Sequence, residues 1–250
     1  MRLTRRGFAG GLVSLTLCAS PAPGQWPNGA RSDPLPPDPD AALRGCLIGS
    51  PSDIKYTWMG EGKAEELVDK LFDWLSAYLT VFDGVVVVFD GPDSYNAFAT
   101  PRDLVMNRKD GMVLIGRSLI DHHKKAFGGR WASALATSIA HESGHLAQYK
   151  LGLRLPTRIA ELHADYLAGW SLHRLGRRRE LGKYTDAGIA RESLRSLQSG
   201  SQGATTHGSA EERVRSFDAG WQYADDHQGR GELGYVPAFE GLQFLGFDGT

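Results

Sequence analysis

The feature that most constrains this chain is a segment that reads AHESGHLAQY (residues 140–149) and lies inside a long run of helical pattern. In a helix, His141 and His145 are one turn apart, so their rings project from the same face and could bind one metal ion together. Glu142 lies to the side of that pair. Gly144 costs a helix about 1 kcal/mol relative to alanine, which predicts that another element packs closely there. Two histidines that meet by chance in a core helix are the alternative interpretation.

A second motif supplies Glu161 as the further protein ligand that a catalytic zinc site requires. Such sites use three protein ligands and leave the fourth position to water. The sequence ELHADYLAG begins at Glu161, sixteen positions after His145, and the intervening break GLRLP lets a second helix lie beside the first. Asp165, one turn after Glu161, is predicted to accept a ring N–H from His141 and so to fix its tautomer. We expect His163 to lie at the surface.

The two motifs together predict a zinc-dependent hydrolase. Zinc lowers the pKa of a bound water to about 7, and Glu142 could accept its proton as the water attacks a carbonyl group. The alternative is a zinc-binding module that recognises peptides or partners without cutting them. The presence of Glu142 favours the enzyme, because a site used for binding alone needs no base.

The remaining pattern predicts an α+β fold. The β-branched run VVVVF (residues 85–89) indicates a buried strand, and SYNAFA and GMVLIG are further short strand candidates. The segment GKAEELVDKLFDWLSAYL spaces its apolar residues for one helical face, and the pattern is helical almost throughout from Arg130 onward. We therefore expect a small sheet packed on a helical bundle.

Three segments of the chain, HESGH, ELHADYLAGW and THGSAEERVRSF, resemble the YpfJ-type neutral zinc metallopeptidases. More distantly they resemble the HtpX and CAAX-protease group within the gluzincins. The resemblance covers roughly Tyr95 to Trp221. It implies a zincin-like (minigluzincin) metallopeptidase domain whose activity is peptide hydrolysis.

The resemblance also implies roles for residues outside the two helices. Asn96, Ala97 and Phe98 match an Asn-Ala-Phe-Ala strand of those relatives. This edge strand would pair with an extended substrate and place Asn96 beside the scissile bond. His207 would help to hold the oxyanion of the tetrahedral intermediate, and Arg213 would support the cleft from behind. The alternative for His207 is a polar residue that caps the next helix.

The N-terminal residues predict an export signal. Arg5 and Arg6 precede the apolar stretch AGGLVSLTLCA, which at about a dozen residues is too short to anchor the chain across a bilayer. The paired arginines resemble a twin-arginine signal, which would make the twin-arginine export machinery a partner and the location periplasmic or secreted. An ordinary secretory signal is the alternative. Once Cys18 is removed with the signal, Cys46 alone remains, so no internal disulfide is expected.

The formal charge of the chain limits the classes of partner that it could attract. Lys and Arg total 28 and Asp and Glu total 29, so the formal charge is −1 and no overall field attracts nucleic acid or an anionic membrane. We expect a peptide or protein substrate, no nucleic acid, and no integral membrane span after signal removal. We divide the chain into an export signal (1–24), a proline-rich linker (25–45), a zinc metallopeptidase domain (46–226) and a C-terminal tail (227–250).

Overall fold

The computed structural model describes most of the chain beyond the predicted linker. The described residues are 55–57, 63–90, 94–101, 109–178, 181–196, 207–228 and 234–247. The predicted signal with Arg5 and Arg6, the linker and Cys46 lie outside these residues. The described part is mostly helical and contains one small sheet, which is compatible with the α+β class expected from the sequence.

The sheet has four strands, and its centre is made by the most apolar segments. In chain order the strands are β1 (Lys55–Thr57), β2 (Val85–Asp90), β3 (Ala97–Thr100) and β4 (Met112–Gly116). Their order across the sheet is β1-β2-β4-β3. The central strands β2 and β4 are parallel, and each outer strand is antiparallel to its neighbour. Central parallel strands covered on both faces favour the continuous β-branched run seen in β2.

Seven helices make up the remainder of the described regular structure, apart from two short 3-10 turns at Gly128–Arg130 and Gly182–Tyr184. They are α1 (Lys63–Tyr78), α2 (Arg117–Phe127), α3 (Trp131–Lys150), α4 (Thr157–Gly176), α5 (Ala187–Ser196), α6 (Ala210–Asp226) and α7 (Tyr235–Phe244). Within the described part, none of these helices combines the length and the apolar character needed to cross a bilayer.

The helix α4 lies at the centre of the helical layer, with α3, α6 and α7 packed against it. A Cβ at Gly144 would lie 3.1 Å from the backbone of Ala164, so the close packing predicted for this glycine is confirmed. A Cβ at Gly220 of α6 would lie 1.9 Å from the carbonyl oxygen of Tyr166 in α4. Backbone contact at this distance leaves no room for a side chain. These contacts fix the positions of α3 and α6 against α4.

Two parts of the described core lie on opposite faces of the sheet, and a third, small part comprises Phe127, Ala134 and Ile189. The larger part lies between the sheet and the helices and includes Trp170, which is fully buried in α4. Alternate residues of β2 and β4 point into it, namely Val86, Val88, Val113 and Ile115. The smaller part lies on the other face and comprises Val87, Phe89, Phe98, Met112 and Leu114. The period of two along each strand therefore assigns the side chains of a strand to the two parts in turn.

Candidate metal centre

Two helices bring three potential metal ligands to one point. The helix α3 carries His141 and His145, whose Nε2 atoms are 3.2 Å apart. The helix α4 carries Glu161, whose carboxylate oxygens lie 3.3 Å from Nε2 of His141 and 3.5 Å from Nε2 of His145. One ligand atom from each of these residues lies within 4.8 Å of the others. The cluster could therefore hold a metal ion.

His141 is supported by a buried ion pair. Its Nδ1 lies 2.8 Å from Oδ1 of Asp165, a side chain of α4 that is 0% exposed. Arg213 of α6 donates to both oxygens of the same carboxylate, from Nε and from a terminal nitrogen, each at 2.8 Å. Burial opposes ionisation of Asp165, but Arg213 and His141 lower the pKa of this carboxyl below its ordinary value. An ionised Asp165 accepts the Nδ1–H of His141, which leaves Nε2 to face the cluster.

His145 is supported by neutral groups. Its Nδ1 lies 3.0 Å from Oε1 of Gln148, one turn further along α3. The amide nitrogen of Gln148 lies 2.7 Å from the carbonyl oxygen of Ala160 and 3.1 Å from Nδ1 of His163. Nε2 of His163 in turn lies 2.8 Å from the carbonyl oxygen of Ala238 in α7. Both ring nitrogens of His163 are therefore engaged inside the protein.

The expectation that His163 lies at the surface is wrong, because its side chain is 0% exposed. The helix α7 packs on this face of α4, and the sequence pattern of α4 does not indicate that another helix lies there. Burial lowers the pKa of His163 to about 4, so its ring is neutral near pH 7. Sequence reasoning also missed Gln148. The signal that could have revealed it is its spacing, since a residue three positions after His145 shares a helical face with it.

Glu142 lies beside the cluster and is not one of the three converging ligands. Its side chain is buried, with 9% of the residue exposed. Burial raises its pKa above the ordinary value, although the nearby His141 and His145 act in the opposite direction. A carboxyl whose proton affinity is raised in this way is suited to accept and return a proton.

His207 lies just before α6 and contacts the cluster from the solvent side. Its Nδ1 is 3.2 Å from Oε2 of Glu161, and its side chain is 32% exposed. The interpretation of His207 as a helix cap is wrong. The N-cap of α6 is Ser209, whose hydroxyl accepts from the backbone N–H of Glu212 while the Glu212 carboxylate accepts from the backbone N–H of Ser209. This reciprocal pair is a capping box.

The predicted substrate strand lies at the edge of the sheet, outside the ligand cluster. The side-chain oxygen of Asn96 accepts from the backbone N–H of Ala97 at 2.9 Å, and its backbone oxygen accepts from Gly116 at 3.0 Å. Phe98 is buried in the smaller core, so its side chain is not available to a ligand. The strand β3 packs against α3, the helix that carries the two histidines.

Comparisons with models of known protein families, with curated proteins and with solved structures found no match for this chain. The function therefore has to be inferred from the chemistry of the side chains. The main features are two imidazoles and a carboxylate that converge on one point, and a separate buried carboxyl beside them.

Proposed function

We propose that this protein is a zinc-dependent peptidase of the gluzincin type, with a zincin-like fold related to that of the YpfJ-type metallopeptidases. The observation that carries the proposal is the convergence of His141, His145 and Glu161, with the buried Glu142 beside them. Two histidines and one glutamate are a ligand set that catalytic zinc uses in peptidases, where water takes the fourth position.

The donor set supports zinc over magnesium and calcium. Magnesium and calcium prefer sites made entirely of oxygen, whereas imidazole nitrogen suits zinc and its neighbours in the periodic table. In this chain, the Nδ1 atoms of His141 and His145 are both engaged with other side chains, by Asp165 and Gln148 respectively. Their Nε2 atoms are consequently the ones presented to a metal, in the orientation that a tight site requires.

Hydrolysis requires a group that moves protons, and we assign this role to Glu142. A zinc ion bound at the cluster would polarise the reacting carbonyl and make water acidic enough to react near neutral pH. Glu142 takes one proton from the water as its oxygen adds to the peptide carbonyl carbon. When the C–N bond breaks, Glu142 returns that proton to the leaving nitrogen, so that the products are a carboxyl group and an amine.

Other residues would position the substrate. His207 lies at the exposed side of Glu161 and would donate a hydrogen bond to the carbonyl oxygen as negative charge develops there. Arg213 is only 6% exposed and binds Asp165, so it would act on the site through His141 and not by contact with substrate. Among the described strands, only β4 pairs with β3. An extended peptide could therefore add to the other edge of β3, near Asn96.

The location of the activity is proposed from the sequence. Arg5 and Arg6 in front of a short apolar stretch support export by the twin-arginine route, which delivers folded proteins to the periplasm or the medium. The formal charge of −1 creates no overall field toward nucleic acid, which fits peptide or protein substrates.

The decisive experiment is a cleavage assay on a mixed peptide library with purified protein, with and without a chelator. We expect cleavage that the chelator abolishes. Replacing Glu142→Gln should keep the metal and lower the rate about a hundredfold to ten-thousandfold, because the proton acceptor is lost. Glu161→Ala should lose metal and activity together. Glu211→Gln, at an exposed carboxylate of α6, is the matched control and should retain both.

Three results would contradict the proposal. Equal rates in wild type and Glu142→Gln would show that another group, or a contaminant, accepts the proton. Full zinc content in Glu161→Ala would remove Glu161 from the ligand set. Zinc-dependent binding of peptides by both forms, with no cleavage by wild type, would favour the module that recognises peptides without cutting them.

A further inference from the structure

A chain of buried hydrogen bonds connects His145 to the C-terminal helix α7. It begins at Nδ1 of His145 and passes through the side chain of Gln148 and the ring of His163. It ends at the backbone oxygen of Ala238, 2.8 Å from His163. The middle members Gln148 and His163 are 3% and 0% exposed, so no bulk water competes for their hydrogen bonds.

Each group in this chain has one consistent role as donor or acceptor. The backbone oxygen of Ala238 can only accept, so Nε2 of His163 carries the proton and its Nδ1 accepts. The amide of Gln148 then donates one hydrogen to His163 and the other to the backbone oxygen of Ala160, 2.7 Å away. Its oxygen is left to accept from Nδ1 of His145. The orientation of the Gln148 amide is therefore determined at both ends.

The helix α7 is docked closely enough to hold this arrangement. A Cβ at Gly241 would lie 2.7 Å from Cδ1 of Tyr166 and 3.0 Å from Cδ2 of His163, so α7 lies directly on both rings. Ala238 and Leu242, on the same side of α7, are buried at 0% and 6% exposure. The close contact at Gly241 keeps the carbonyl of Ala238 within reach of His163.

We propose that Gln148 and His163 are positioning residues that orient the ring of His145, and that α7 completes the metal centre from the C-terminal end of the chain. The inference rests on the metal-binding part of the proposed function and does not depend on peptide hydrolysis. A buried amide and a buried imidazole are stable only when all their polar atoms are satisfied. An apolar pair would fill the same space, but it would leave Nδ1 of His145 without the acceptor that Gln148 provides.

The first test measures zinc affinity by competition with a chromophoric chelator. Gln148→Leu should weaken zinc binding about tenfold to a hundredfold, the usual effect of losing a partner of a liganding histidine. Gln148→Glu keeps the acceptor for His145 but loses both donated hydrogen bonds, so it should be less stable than wild type. Its zinc affinity should nevertheless be close to that of wild type and well above that of Gln148→Leu. Ser143→Ala is the matched control, because this buried hydroxyl of α3 donates to the backbone of Ile139.

The comparison of Gln148→Leu and Gln148→Glu separates positioning from general stability. The proposal is supported if zinc affinity is low in Gln148→Leu, which lacks the acceptor, and is recovered in Gln148→Glu, which keeps it despite its lower stability. Zinc affinity that follows the midpoint of unfolding in both variants would show that Gln148 has a purely structural role and would overturn it. Wild-type affinity in both variants would overturn it as well.

A second measurement requires no bound metal. Long-range proton–nitrogen NMR spectra of the histidine rings should show His163 neutral, with its proton on Nε2. Gly241→Val should displace α7 and change the His163 signals, whereas Gln243→Val, at an exposed position of α7, should not. A proton on Nδ1 of His163 in wild type would overturn the chain of donors. Unchanged zinc affinity in a Gly241→Val protein with altered His163 signals would overturn the role of α7.

These outcomes are separate from those of the peptidase proposal. Wild type that binds zinc but cleaves no peptide would contradict the proposed function, while the affinities of the Gln148 variants would still decide the positioning role. If wild type binds no zinc, the proposed function fails. The claim that Gln148 and His163 position a metal ligand then fails with it, even where the NMR spectra show the expected tautomer.

Discussion

The two histidines of the candidate metal centre occupy one helix, one turn apart, but different kinds of support hold them. A buried ion pair of Asp165 and Arg213 lies behind His141. The neutral side chains Gln148 and His163 lie behind His145. In both cases Nδ1 is engaged and Nε2 faces the cluster, so two different chemistries produce the same orientation.

The two supports should differ in how much stability is lost when one of their hydrogen-bonding partners is removed. An ion pair that is 0% and 6% exposed has lost nearly all its hydration, and each charge relies on the other. A neutral amide or imidazole that loses a partner leaves an unsatisfied dipole, at a cost of about 1–3 kcal/mol. The charged support of His141 should therefore be the more sensitive of the two.

The largest expected effect is that of Asp165→Ala. This change leaves the guanidinium of Arg213 buried without its carboxylate, which should lower the free energy of unfolding by about 3–5 kcal/mol. It also removes the acceptor for Nδ1 of His141, so zinc affinity should fall at least as far as in Gln148→Leu. Urea unfolding in the presence of chelator measures the first effect, and zinc competition measures the second.

A double variant tests the cause of that loss. Asp165→Ala combined with Arg213→Met contains no unpaired buried charge, so it should be more stable than Asp165→Ala alone. Zinc affinity should stay low in the double variant, because His141 still lacks its acceptor. A double variant that is no more stable than Asp165→Ala would mean that packing, and not charge, dominates this support.

An intermediate effect is expected from Gly220→Ala, which acts on the charged support from a distance. The new methyl group would meet the carbonyl oxygen of Tyr166 and push α6, with Arg213, away from α4. Such overpacking should cost about 1–3 kcal/mol of unfolding free energy and should weaken zinc binding. Gly129→Ala is the matched control, since a Cβ there would meet no atom within 4 Å apart from its own local stretch of backbone. Equal unfolding midpoints in the two variants would refute this view of the helix contact.

The smallest effect is expected from Ser209→Ala, which removes the capping box at the start of α6. It should cost about 1 kcal/mol, the usual value for an N-cap, as measured by urea unfolding. Zinc affinity should not change, because two hydrogen bonds still hold Arg213 to Asp165. A marked loss of zinc affinity would show that the charged support depends on the end of α6 as well as on its middle.

The sequence was most informative where one helix determines the geometry. A spacing of four residues places two rings on one face of any helix, so the pairing of His141 with His145 required no knowledge of the fold. The close approach at Gly144 followed from the cost of glycine in a helix, and the buried strand β2 from its β-branched run. The proximity of Asp165 and His141 followed from one further assumption, that α4 lies beside α3.

The sequence was least informative where a distant segment covers a face. His163 was expected at the surface because no feature of α4 indicates that α7, about seventy positions later, packs on it. Gln148 was missed for the same reason, since one of its hydrogen-bond partners belongs to that covered face. The cap of α6 was assigned to His207 as an alternative, although Ser209 and Glu212 carry the capping-box pattern in the sequence.

The sequence by itself determined that His141 and His145 can share a metal, because helical periodicity is a local property that holds wherever the helix lies. The tertiary structure alone decided what completes each support: Arg213 of α6 pairs with Asp165 behind His141, and the neutral chain behind His145 ends at α7. The physical reason is that the strength and direction of a buried hydrogen bond depend on what excludes water from it. That exclusion comes from segments far apart in the chain, which no local pattern identifies.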